Sequence, residues 1–240
     1  MELKAIGLTK NFSGKTVVDE VNISVFSGQI IGLLGPNGAG KTTFFYMIAG
    51  LISSDSGQVL INNKDVTKDS ISERAKMGLS YLPQEPSIFR SLSVKENLLA
   101  SLEQKKDLSK VQIQKELDYL IGKFKLELFA ETKAIKLSGG ERRRTEIARA
   151  LASSPEFLLL DEPFTGIDPI AVSELKTTLK DLKEMNIGIL ISDHNVRETI
   201  QICDKVCILS EGKMVAEGSN EEITSNELVK EVYLGQDFLS

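Results

Sequence analysis

The chain has 240 residues, 26% of them charged and 41% hydrophobic, with a formal net charge of −5. That length can bury a full core without staples, and the acidic balance argues against a nucleic-acid-binding face, which shows itself as a basic excess. Cys203 and Cys207 are the only cysteines and sit near no histidine cluster, so a structural zinc site is excluded and both read as reduced, packed thiols.

In chain order, alternation in Leu3-Lys4-Ala5-Ile6 and in Val21-Asn22-Ile23-Ser24-Val25 predicts two antiparallel strands, with a turn over Asn11 to Lys15. Met1 leads directly into this pattern in place of a signal peptide. No apolar run approaches the ~20 residues that span a bilayer. The expectation is a cytoplasmic protein with no membrane span of its own.

Gln29 to Leu34 is a continuous apolar run, as in a strand covered on both faces. It leads into Gly35-Pro36-Asn37-Gly38-Ala39-Gly40-Lys41-Thr42, which fits the phosphate-loop pattern and opens a helix from Thr42 to Ala49. Glycines let backbone N–H groups turn inward around phosphates, and the helix N-terminus adds favourable partial charge. Lys41 is expected to reach the β- and γ-phosphates, Thr42 to ligate Mg²⁺ through its hydroxyl, and Thr43 to join the nucleotide contacts. ATP and Mg²⁺ are the cofactors this implies.

From about 86 to 154 strand signals vanish, and Ser93 to Gln104, Leu108 to Phe124 and Gly139 to Ala152 show helical periodicity. Apolar strand runs resume at Phe157 to Leu160, Ile187 to Ile191 and Lys205 to Leu209, the first two followed by helical patterns. The fold class is therefore α/β: a P-loop NTPase core with a mixed, mostly parallel sheet (1–85 and 155–218), an N-terminal antiparallel β subdomain and an inserted helical subdomain (86–154). A short helical extension (219–240) completes a single domain.

Asp161-Glu162 closes the run that begins at Phe157. Adjacent strand residues point to opposite faces, so the two carboxylates divide the work. Asp161 is suited to the Mg²⁺ shell, and Glu162 to orienting and deprotonating a water, general-base help worth about 10²–10⁴ in rate. His194, the only histidine, follows the next strand at the carboxyl edge where ligands gather; it is assigned contact with the γ-phosphate and with Glu162.

Ser138-Gly139-Gly140-Glu141 reads as a capping box. Capping needs no glycine pair, however, and each glycine costs about 1 kcal/mol against alanine in a helix. Glycines are sensible there if an anion approaches the backbone. With one side of the nucleotide already surrounded by the phosphate loop, a second copy of the chain is expected to bring its Ser138 helix to the exposed γ-phosphate. In Arg142-Arg143-Arg144, interleaved with Glu141 and Glu146, a solvated, ion-paired helix face is expected.

These motifs, in this order, resemble the nucleotide-binding subunits of ATP-binding cassette transporters over nearly the whole chain. The resemblance implies that Phe12 stacks on adenine, where tyrosine is commoner. It implies that Gln84 joins the two subdomains and senses metal and γ-phosphate. It implies that Asp168, in Thr165-Gly166-Ile167-Asp168 where Ser-Ala-Leu-Asp is commoner, lies in a loop that crosses to the partner. Within the family, Tyr81 to Glu85, Ser87 to Arg90, Ser93-Val94, Asp193 to Thr199 and the ending Val232 to Phe238 are similar to the branch that exports lipopolysaccharide. Branched-chain amino-acid importers, or a soluble non-transport cassette protein, are the alternatives. The export branch implies a homodimer on the cytoplasmic face of the inner membrane beneath two transmembrane permease subunits, with Ile88, Phe89 and Arg90 lining the groove that receives them.

Overall fold

The computed structural model describes residues 1–226 and 229. Strands β1 (Glu2–Phe12) and β2 (Lys15–Phe26) pair antiparallel, Leu3 opposite Val25 and Ala5 opposite Ile23. The connecting pair Ser13-Gly14 has φ of 48° and 84°, the two left-handed residues of a hairpin turn whose twist suits the strands. β3 (Ile30–Leu34) is buried along its length and feeds α1 (Lys41–Ala49). Then follow β4 (Ser56–Ile61), β5 (Lys64–Asp65), α2 (Ile71–Lys76) and β6 (Leu79–Leu82).

The helical insertion comprises α3 (Val94–Leu102), α4 (Lys110–Lys123) and α5 (Gly139–Leu151). Reciprocal capping boxes start all three, led by Ser93, Ser109 and Ser138. The chain returns through β7 (Phe157–Asp161), α6 (Pro169–Glu184), β8 (Gly188–Ser192), α7 (Val196–Ile200), β9 (Lys205–Ser210), β10 (Lys213–Gly218) and α8 (Asn220–Ser225). The motif at Val232 to Phe238, and the rest of the expected C-terminal extension, lie outside the described residues.

Two sheets result. One is antiparallel, in the order β2-β1-β4-β5; the other runs β10-β9-β3-β8-β7-β6, with only β10 antiparallel. Beyond its polar first turn, α1 lies in a core shared by both sheets, where Phe44, Phe45, Met47 and Ile48 meet Val18, Val21 and Leu33. The opposite face of the large sheet packs on the helices through Leu98, Leu117, Phe124 and Ile147. Along β7 the side chains alternate between the cores, Leu159 in the first and Leu158 and Leu160 in the second. The far end of α1 is held by Arg74, which is buried and donates to the carbonyls of Met47, Ile48, Thr67 and Asp69. Adjacent parallel strands β3, β8 and β7 thus deliver the phosphate loop, His194 and Asp161-Glu162 to one edge of the sheet.

Three expectations are corrected. Glu162 is not a strand residue: β7 ends at Asp161, and Glu162 turns into the left-handed region at φ 46°, its N–H donating to Ser192 O at 2.7 Å. Arg143 is not on a solvated face: it is buried, paired at 3.2 Å with the buried Glu146, and donates to Pro83 O, because α5 turns that side toward β6. Arg144 does pair on a half-buried face, with Glu174 of α6. Ile88 cannot line a surface groove, since at 5% exposure it belongs to the core beneath α3. Phe89, at 52% exposure, and Arg90 do reach the surface.

Candidate active site

The phosphate loop is shaped by close backbone approach. A Cβ on Gly35 (φ 151°) would sit 2.0 Å from Leu209 O, and one on Gly40 (φ 103°) 2.4 Å from Val17 O, so no side chain fits at either. Lys41 Nζ donates to Gly35 O at 2.7 Å and Pro36 O at 3.0 Å. Burial lowers the Lys41 pKa, opposed by the charges of Glu162, Asp161 and Asp193. Residues Asn37 to Thr43 line a pocket of about 190 Å³ together with Val17 and Glu162. A neighbouring cavity of about 590 Å³ shares Val17 and Asn37 to Ala39 with it and is lined further by Lys15, Thr16 and Gly212. Phe12, the register partner of Lys15, is not among the cavity's lining residues; its ring is half-exposed and carries Lys10 Nζ 5.5 Å above it.

Asp161 is buried, and both its oxygens receive hydroxyl donors, Oδ1 from Ser192 and Oδ2 from Tyr81 at 3.3 Å. Burial raises its pKa, opposed by the Ser192 bond and reinforced by Glu162. A hard divalent cation fits this donor set: the Thr42 hydroxyl, the Asp161 carboxylate and the Gln84 amide offer oxygen ligands, and a nearby positive charge would relieve the buried carboxylate.

Glu162 is the focus of the site. Its Oε2 accepts from Gln84 Nε2 at 2.9 Å, Thr165 Oγ1 at 3.1 Å and His194 Nδ1 at 3.1 Å. Gln84 extends from the end of β6 and His194 follows β8, so this one oxygen joins three loops. The left-handed conformation is costly for a residue with a Cβ, on the order of 1–3 kcal/mol, and persists where surroundings impose it.

Ser138 and Asp168 face elsewhere. Among the described residues, those lining the phosphate pocket include neither. Ser138 is exposed and caps α5, its Oγ accepting from Glu141 N at 3.3 Å while Glu141 Oε2 accepts from Ser138 N at 2.8 Å. Asp168 caps α6, accepting from Ile170 N and Ala171 N at 3.0 Å each. The glycine pair has a cause within the chain itself: a Cβ on Gly139 would lie 3.0 Å from Gly166 O, and one on Gly140 2.6 Å from the Ala171 Cβ. The start of α5 is thus seated on the segment leading into α6.

Sequence reasoning misses Thr165, Tyr81, Ser192 and Asp193 as members of the site. Only Asp193 carries a local signal, a carboxylate directly before the single histidine. Asp193 is fully buried, accepting from Phe164 N at 3.0 Å and Asn195 N at 2.8 Å. Burial raises its pKa, and those two bonds oppose the rise.

The ABC transporter family model matches residues 18–165. The lipopolysaccharide export system ATP-binding protein LptB of Haemophilus influenzae is 49% identical over 236 residues, covering 98% of each chain. LptB of Escherichia coli K12 is also 49% identical over 236 residues, with the same coverage. A solved ATP-binding cassette of an ABC transporter in its ADP conformation superposes with a TM-score of 0.87 at 29% identity, over 98% of this chain and all of that one. A dimeric bacterial ABC transporter cassette superposes with a TM-score of 0.81 at 25% identity, over 91% of this chain and 98% of that one. With its phosphate loop, acidic strand end and histidine gathered at one sheet edge, the chain belongs to the ABC transporter family, as an ATP-binding subunit.

Proposed function

We propose that this chain hydrolyses ATP at sites completed by a second copy and thereby drives lipopolysaccharide export through two membrane subunits. The observation that carries the enzymatic part is the convergence of Gln84, Thr165 and His194 on Glu162 Oε2. Lys41 and the loop N–H groups hold the β- and γ-phosphates. Thr42, Asp161 and the carbonyl oxygen of Gln84 would hold Mg²⁺, which when bound would neutralise charge developing on the transferred phosphoryl group. Glu162 takes a proton from the attacking water as the bond from the γ-phosphorus to the ADP oxygen breaks, and His194 fixes Glu162 while facing the γ-phosphate. Ser138 of the second copy caps that phosphate with its helix N-terminus. Helix-end attraction for an anion is about 0.3–2 kcal/mol, so the dimer closes on ATP and opens after hydrolysis.

The transport part rests on likeness to the LptB proteins over nearly full length. No described helix is long and apolar enough to cross a membrane, so membrane subunits supply the path and the chain sits peripherally beneath them. A groove of about 530 Å³, lined by Ile71, Leu79, Tyr81, Phe89, Gln104 and Arg149, suits a short cytoplasmic helix. Arg149 stacks 5.2 Å over Phe89 and donates to Ser87 Oγ, close behind the Gln84 loop.

Glu162→Gln tests the chemistry: it should bind ATP, lose turnover by about 10²–10⁴ and accumulate as an ATP-bound dimer in size-exclusion chromatography. Hydrolysis at the parental rate would refute the base assignment. A tagged chain isolated from membranes tests the transport: subunits with large periplasmic domains support lipid export, and purely helical amino-acid permeases overturn it.

A further inference from the structure

We propose that Asp193 is a positioning residue that holds Glu162 and His194 at their mutual distance by fastening the two loops that carry them. The inference rests on the reading of Glu162 as base and His194 as its partner. β7 and β8 are neighbouring parallel strands whose last paired residues are Asp161 and Ser192. Beyond that rung there is no ladder to keep the loops together, and the bonds that replace it come from the end of β8. Glu162 N donates to Ser192 O at 2.7 Å. Pro163 has no N–H to give. Phe164 N, the next donor, goes to Asp193 Oδ2 at 3.0 Å. The left-handed Glu162, at φ 46°, is therefore pinned on both sides by consecutive residues at the end of β8 and just beyond it.

The second carboxylate oxygen acts on the histidine side. Asp193 Oδ1 accepts from Asn195 N at 2.8 Å, closing a tight turn in which His194 is the enclosed residue. Nδ1 of His194 lies 3.8 Å from Asp193 Oδ1 and 3.1 Å from Glu162 Oε2. A fully buried carboxylate is costly unless hydrogen-bonded, and here the bonds are spent on the two residues whose separation matters. Serving both N–H groups takes an acceptor at each end of the side chain. An asparagine offers one oxygen and sets its NH₂ against the other N–H.

The test is Asp193→Asn in the full chain, alone and combined with His194→Ala, with steady-state ATP hydrolysis as readout. The single variant should lower kcat about tenfold or more with KM for ATP within about twofold. In the His194→Ala background the same change should cost less than about threefold further, because the distance that Asp193 sets, between Glu162 and the histidine, no longer matters there. Parental kcat, a change confined to KM, or losses that multiply would each overturn the proposal. Near-parental Asp193→Asn beside a slow His194→Ala would leave the site reading intact and sink this one alone; a fast His194→Ala would sink both. Should the variant not fold, amide exchange of the unmodified chain decides. The Phe164 and Asn195 amides should exchange slowly, and exchange at the rate of open loops would overturn the assignment.

Discussion

Beside its cap of α5, Ser138 has a proposed second role against a partner's nucleotide, and a single substitution can separate the two. As the cap of α5 it supplies an acceptor for Glu141 N, and aspartate at such a position caps as well as serine. A negative charge at a helix N-terminus contributes a further 0.3–1 kcal/mol or so, offset in part by repulsion from Glu141. Ser138→Asp should therefore leave stability within about 0.5 kcal/mol of the parent. Ser138→Ala should lose about 1 kcal/mol, a fall of about 0.3–0.5 M in urea midpoint for an m of about 2–3 kcal/mol/M. Catalysis reverses the ranking. An aspartate carboxylate about 4 Å from a phosphate charge is repelled by about 1–4 kcal/mol, depending on the effective dielectric. That corresponds to a loss of about fivefold to a thousandfold in ATP-driven closure and turnover. Urea unfolding and ATP hydrolysis on the same preparations check both halves. A stable Ser138→Asp chain that hydrolyses ATP at the parental rate would refute the placement of this serine against a partner's triphosphate.

Other substitutions probe the route from site to membrane and the core around it. Phe89→Ala should keep ATP hydrolysis within about twofold yet lose copurification with membrane subunits, since removing a half-exposed ring leaves the core intact; unchanged copurification would remove the groove from the account. Asn97 is fully buried and exchanges bonds with Phe89 N, Phe89 O and Ser93 O. Asn97→Leu should cost about 2–4 kcal/mol by leaving those groups unpaired, and a loss under about 0.5 kcal/mol in urea unfolding would contradict it. Burial pushes the Cys207 thiol up to about 12 and raises Cys203 as well. At pH 8 only about one Cys207 in 10⁴ would be thiolate, so maleimide labelling should wait for unfolding, and rapid labelling of the native chain would show the packing to be wrong.

The phosphate loop, the acidic strand end and the helical insertion are legible because their signals are local. Continuous apolar runs mark β3, β7 and β8, and a capping box marks α5. β6 is harder to see: it has four residues, and at the sheet edge Ser80 and Tyr81 stay half-buried, so neither alternation nor a full apolar run announces it. β4 and β10 share the difficulty, with a glycine or charged residues within six-residue strands. Within the site, sequence reasoning pairs Glu162 with His194, as the structure does, but gives it the wrong backbone. Nothing in Asp-Glu-Pro signals a left-handed turn, because it is imposed by Ser192 and Asp193 some thirty residues away. Burial of Arg143 escapes for a similar reason: three successive arginines look alike until the neighbouring strand selects which one is covered.

The seating of Gly139 and Gly140 on residues 166–171 bears on how loss of function there is interpreted. Any methyl added at Gly140 collides first with Ala171 of the same polypeptide, and such overpacking costs about 1–3 kcal/mol with no second molecule present. A dead Gly140→Ala protein therefore says nothing about contacts between subunits. Pairing it with Ala171→Gly, which vacates the colliding position, separates a helix pushed off its bed from an anion that has lost its cradle.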